Sequence, residues 1–217
     1  MAQFQEEREA AEADSIDLEL HRVPFFLESW YIDEADDFWE SHYTRQARKF
    51  GSVEAFERVK AAHRLMPRAA EAGLDAEGWT DDNLDHRRQS STLRAHRLIR
   101  WLDETVGWEK AEAAYASLHD AHFVKRGLLN DIAVLTSAAA SAGIDGATAG
   151  AFLRGDELKT TILSLVDDVH AMGIHSIPTL FINGHLALSG AAGHGEVLEA
   201  IRQAASEASG SRRFSQR

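Results

Sequence analysis

Hydrophobic and polar positions change period twice along this chain. Residues 1–14 are rich in Gln, Glu, Arg and Ala, with Phe4 the one large apolar residue before Asp14 and Ser15 interrupt, which predicts a short helix. From Ile16 to Val23 the order Ile-Asp-Leu-Glu-Leu-His-Arg-Val begins as strict alternation, the period of a half-buried strand. Pro24 closes it, and Phe25, Phe26 and Leu27 form an apolar knot behind it. From about Asp36 to Gly173 the pattern is helical. It predicts a helix over 38–50 stopped by Gly51, then one over 53–72 with Ser52 as its N-cap, followed by a polar stretch over 75–88. Further helices are expected at 90–106, 108–125, 130–142 and 156–172, and Pro67 marks a kink or an end. Past Gly173 the period shifts again. Thr179–Ile182 is a short apolar run, Asn183-Gly184 is a strong hairpin signal, and Leu186-Ala187-Leu188 forms the return strand. A loop over 190–195 leads to an amphipathic helix over 196–208, and residues 209–217 read as a disordered tail.

Composition narrows the chemistry. Lys and Arg number 23 against 35 Asp and Glu, a net charge of −12, and no basic run offsets it; a nucleic-acid partner is not expected. No stretch approaches the roughly 18 apolar residues that span a bilayer, and the N-terminus lacks the apolar core of a signal peptide. A cytoplasmic protein with no membrane partner is the expectation. The count that matters most is zero cysteines among 217 residues. It removes disulfides, thiolate metal sites and thiol nucleophiles together.

A strand, a long helical insertion, an Ile-Pro pair, a hairpin and a closing helix form the order of a thioredoxin fold with an inserted helical domain. The residues carry the resemblance further. Gly-Ile-His-Ser-Ile-Pro-Thr-Leu-Phe-Ile-Asn-Gly (173–184), Leu-Ser-Gly (188–190) and Glu-Val-Leu-Glu-Ala-Ile (196–201) resemble the C-terminal half of the DsbA-like thioredoxin-domain family, in its FrnE-like branch. Ser-Thr-Leu-Arg-Ala-His-Arg-Leu-Ile-Arg-Trp-Leu (91–102), Ala-His-Phe-Val with Leu-Asn-Asp (121–131), Val-Pro-Phe-Phe-Leu (23–27) and Lys-Phe-Gly (49–51) resemble its inserted helices and early segments. The resemblance implies an α/β thioredoxin-like fold over 1–33 and 173–208, interrupted by an all-helical domain over 34–172. It also implies thiol–disulfide oxidoreduction, through a strand and a Cys-Pro-x-Cys helix start that this sequence lacks. The family activity is therefore expected to be redox-incompetent in this chain, with no catalytic residue and no cofactor. Without that opening strand, residues 16–23 are expected either to pair directly with 179–183 or to take a strand from a second chain, as in a homo-oligomer.

Ile177 and Pro178 are the leading site candidates. The resemblance implies a cis bond between them, with backbone facing the ligand groove, so that an extended peptide or the cysteinyl part of a small thiol such as glutathione can pair with Ile177. Against this, Pro178 alone could simply shape the entry to a strand. Ser189 and Gly190 are the second pair, a hydroxyl and an open amide suited to a carboxylate, with a plain turn as the simpler reading. Three functions stay open: an incomplete oxidoreductase, a non-catalytic peptide- or thiol-binding module, and a glutathione-dependent isomerase or transferase. His119 and His122 are spaced for one helix face, but they and His96, His170 and His175 lack metal-ligand spacing, so no metal is expected. Trp30, Tyr31, Trp39, Trp79, Trp101 and Trp108 read as packing residues.

Overall fold

The computed structural model describes residues 2–27, 39–63 and 88–214. The chain divides into two compact units, Glu28–Ile162 and a second built from Met1–Leu27 with Leu163–Arg217.

In the Glu28–Ile162 unit a small antiparallel pair, β1 (Glu40–Ser41) with β2 (Arg88–Gln89), accompanies the helices α2 (His42–Phe50) and α3 (Val53–His63). Ser41 caps α2 through its side chain, and α2 stops at Gly51, whose φ of 84° suits a residue without Cβ. The Ser52 hydroxyl accepts from the Ala55 amide 3.1 Å away, which makes it the N-cap of α3. The far end of the helix expected over 53–72, and Pro67, lie outside the described residues. Then come α4 (Leu93–Val106), α5 (Trp108–His119), α6 (Ile132–Ser141) and α7 (Gly146–Arg154). Leu98, Leu102, Ala114, Leu118, Leu135, Ala139, Phe152 and Leu153 form one continuous buried cluster among them.

Three details depart from the sequence reading here. Helix α7 is not among the predicted elements, because its small residues Gly146, Ala147, Ala149, Gly150 and Ala151 give no apolar period. Its signal is the cap: the Asp145 carboxylate accepts from the amides of Ala147 and Thr148, each at 3.0 Å. The helix expected over 108–125 becomes a π-helical turn from Asp120 to Val124. The two-residue pair β1–β2 is too short to leave an alternating pattern.

The second unit holds α1 (Ala2–Ala13), the later part of α8 (Lys159–Ala171), the hairpin β3 (Thr179–Ile182) with β4 (His185–Ser189), and α9 (His194–Phe214). Helix α9 packs on both strands and α1 packs on α9. Leu198 and Ile201 of α9 are buried, as is Ala11 on α1. Residues 16–23 are a correction. They run extended, and over 16–21 half-buried and exposed positions alternate as their pattern predicts, but they belong to no sheet, and β3 pairs with β4 alone. The expected direct pairing with 179–183 is absent among the described residues. Alternation fixes which side chains face inward; a strand also needs a neighbour to take its amides, and none among the described residues pairs with it. Helix α9 runs on through 209–214, beyond the end expected at 208, and residues 215–217 lie outside the described residues. Nothing in that stretch breaks a helix except Gly210, and one interior glycine costs only about 1 kcal/mol.

Candidate functional site

The hairpin positions the candidate residues. Asn183 and Gly184 turn it with φ of 51° and 80°, the left-handed pair that a two-residue turn matching strand twist requires. That turn sets Ile182 opposite His185 and Phe181 opposite Leu186, and a bulge at Ala187 then shifts the register so that Leu180 faces Leu188 and Thr179 faces Ser189. One step beyond the paired strands, the Gly190 amide donates to the Pro178 carbonyl at 2.9 Å. Ile177, Pro178, Ser189 and Gly190 thus come together at the open end of the hairpin, and all are exposed.

The Ile177–Pro178 bond is cis. Ile177 is 49% exposed, and its backbone amide and carbonyl make no hydrogen bond among the described residues. Ser176 is held from within the loop, its carbonyl accepting from the Thr179 hydroxyl at 2.9 Å. The Ser189 hydroxyl makes no hydrogen bond there either. The second edge of β3 carries no strand among the described residues. The end of the hairpin therefore presents free main-chain donors and acceptors beside an apolar side chain, which is the chemistry of strand addition.

Sequence reasoning misses a neighbouring cluster. The His170 ring, in the last turn of α8, lies 6.2 Å from the His175 ring in near-parallel stacking, and Phe25 meets His170 edge-on at 5.4 Å. Nothing in their spacing links the two histidines, yet His175 stands only two residues before Ile177, and that closeness is the available signal. At the opposite end of the hairpin, Ile182, Leu186, Ala200, Ala204 and Glu207 line a cleft of about 400 Å³, which none of the candidate residues enters.

The remaining candidates resolve into packing. The Tyr115, His119 and Phe123 rings follow one another along α5 and the π turn at 4.5 and 5.2 Å. His122 is buried and donates from Nδ1 to the Gly127 carbonyl at 3.0 Å. Among the described residues no group of three or more His, Asp or Glu could hold a metal ion. Trp101 stacks on Phe152 at 4.5 Å, and Arg88 lies over exposed Trp39 at 5.7 Å. Trp30, Tyr31 and Trp79 lie outside the described residues. No helix among the described residues is long and apolar enough to cross a membrane.

The family model for the DSBA-like thioredoxin domain matches residues 45–202, well over half of the chain. The chain belongs to that family. Its fold is accordingly the α/β thioredoxin-like fold with a helical insertion. The DSBA-like match runs from α2 into α9 and takes in both the helical core and the Ile177–Pro178 hairpin, while α1 and residues 16–23 precede it. No curated protein matches the chain. This DSBA-like domain contains no cysteine, so it holds no dithiol of its own.

Proposed function

We propose that this chain is a redox-inactive DSBA-like protein that binds an extended peptide or a small thiol at Ile177–Pro178. The observation that carries the proposal is the pairing of two facts: no cysteine in the sequence, and open main-chain groups on Ile177 beside the free edge of β3. Disulfide exchange proceeds by attack of a thiolate, and no other side chain replaces it. Strand addition needs only backbone groups, which lose nothing when cysteines are absent. Ser189 and Gly190 stand across the hairpin end, where a ligand carboxylate would meet a hydroxyl.

Two measurements test the reading. Insulin reduction by dithiothreitol should proceed at the background rate with this chain present, and clear acceleration would overturn redox inactivity. Titration with an extended peptide and with reduced glutathione, followed by amide NMR, should shift residues 175–177 and 189–190 first. Shifts confined to other parts of the molecule would remove the site.

A further inference from the structure

Residues 16–23 run extended with the alternation of a strand and belong to no sheet among the described residues. The segment is extended, with Ile16, Leu18 and Leu20 half-buried and Asp17, Glu19 and Val23 exposed. Asp17, Leu18, Glu19 and Leu20 make no backbone hydrogen bond among the described residues, and the segment is anchored at its start by the Ile16 amide on the Ala11 carbonyl at 2.9 Å. Loop backbone at a protein surface is usually irregular and polar; here a strict two-residue alternation keeps one apolar row inward and leaves the backbone unclaimed.

We propose that this segment is an interaction surface for an extended partner chain that alternates apolar and basic residues. The alternation of the segment dictates that of the partner. An added strand shares the pleat, so one face continues the Ile16/Leu18/Leu20 row and is apolar. The other face lies beside Asp17 and Glu19. The Glu19 side chain is 68% exposed and meets His21 at 3.4 Å. The preceding helix adds the exposed Glu6 and Glu9 to the same stretch of sequence, Glu12 and Asp14 being paired with Arg8 and Arg202, and the whole chain carries −12. Opposite charges across a strand pair attract and like charges repel, so lysine or arginine is selected at alternate positions and glutamate is refused. This surface is separate from the Ile177–Pro178 proposal and does not rest on it.

The test uses the full chain and two synthetic seven-residue peptides, one alternating lysine with valine, the other alternating glutamate with valine. With the lysine peptide, the amides of residues 17–20 should become protected from hydrogen exchange, and binding should weaken as salt rises. The glutamate peptide should bind about tenfold more weakly, as expected when two cross-strand charge pairs change from attraction to repulsion. The double substitution Asp17→Lys with Glu19→Lys, at exposed positions, should reverse that order. Equal binding of both peptides, no reversal in the double variant, or no protection with either peptide would each overturn the proposal. Light scattering on the chain alone adds one more outcome: a dimer with residues 17–20 already protected would show a second copy as the occupant and overturn the basic partner.

Discussion

The helical unit and the hairpin-bearing unit solve the backbone problem in different ways. In the helical unit Leu93, Leu98, Leu102 and Leu135 are completely buried. In the other unit every residue of β3 is only half-buried, and β4 exposes His185, Leu186 and Ser189. A helix satisfies its own amides along its length, so a bundle needs nothing from its neighbours except side-chain packing. A strand satisfies only what an adjacent strand supplies, and a lone two-stranded hairpin is marginal in water. The contrast explains why the same chain holds a closed core in one unit and open edges in the other. Open edges are also where a chain without a dithiol still has something to offer a ligand.

The most forceful way to break this comparison is to remove one buried leucine and one hairpin leucine. Leu98→Ala should cost about 2–5 kcal/mol, since it empties a fully enclosed site. Leu186→Ala, at a residue 60% exposed, should stay within about 0.5 kcal/mol. Urea denaturation measures both. Equal losses would mean that the hairpin is as tightly packed as the helices.

Arg97 sharpens the same point from the polar side. It is fully buried on α4, where its Nε donates to the Glu157 carbonyl at 2.7 Å and its Nη2 reaches the carbonyls of Phe152 and Gly155. Its guanidinium also lies 5.3 Å from the Phe152 ring. One side chain thus closes the open carbonyl end of α7 and the turn after it. Arg97→Met keeps the apolar stem but leaves those carbonyls to find other donors, at an expected cost of about 1–3 kcal/mol. A variant as stable as the parent would show that water replaces the guanidinium without loss. Smaller again is Ser52→Ala, which removes the N-cap of α3 and should cost about 1 kcal/mol; an unchanged urea midpoint would mean that the cap contributes nothing.

What the sequence discloses follows the same division. The Gly51 stop, the Ser52 cap and the Asn183-Gly184 turn are legible because each depends on a local conformational preference. The gathering of Ile177, Pro178, Ser189 and Gly190 is legible to within one residue, because the turn fixes Ile182 opposite His185 while the bulge that brings Leu188 opposite Leu180 leaves no mark in the pattern. Residues 16–23 are half legible: their faces are local, but their pairing depends on a neighbour that no periodicity reports. Arg97 is hidden altogether. Within Arg94-Ala95-His96-Arg97-Leu98-Ile99-Arg100 it looks like one of several basic residues on a solvated face, and its partners are carbonyls far along the chain with no side-chain signature. The His170–His175 stack escapes for a related reason, because a turn between two elements brings the rings together.

Asp145 offers the gentlest probe, because it reads one cap without disturbing the core. Its carboxylate accepts from the Thr148 hydroxyl at 2.6 Å and from the amides of Ala147 and Thr148. The Thr148 hydroxyl, followed by the Thr148 amide, holds the carboxyl below the usual aspartate value, and desolvation partly opposes this. A depressed folded pKa means that the folded state releases its proton more readily than the unfolded one. The cap's contribution is therefore complete above the ordinary aspartate range and fades as pH falls through the folded value. Amide exchange at Ala147 and Thr148, corrected for its intrinsic pH dependence, should show protection that is flat from neutral pH down to about the ordinary aspartate value of 3.9 and then declines. Asp145→Asn keeps an acceptor oxygen at the cap but no longer titrates, so the same amides should lose that acid-side decline. A decline of equal size in the parent chain and in the Asp145→Asn variant would assign the acid sensitivity of α7 to some other group. Because β3 and β4 carry no such carboxylate cap, the hairpin amides should follow a different pH course, and that divergence extends the contrast between self-satisfied helices and open strands to acid.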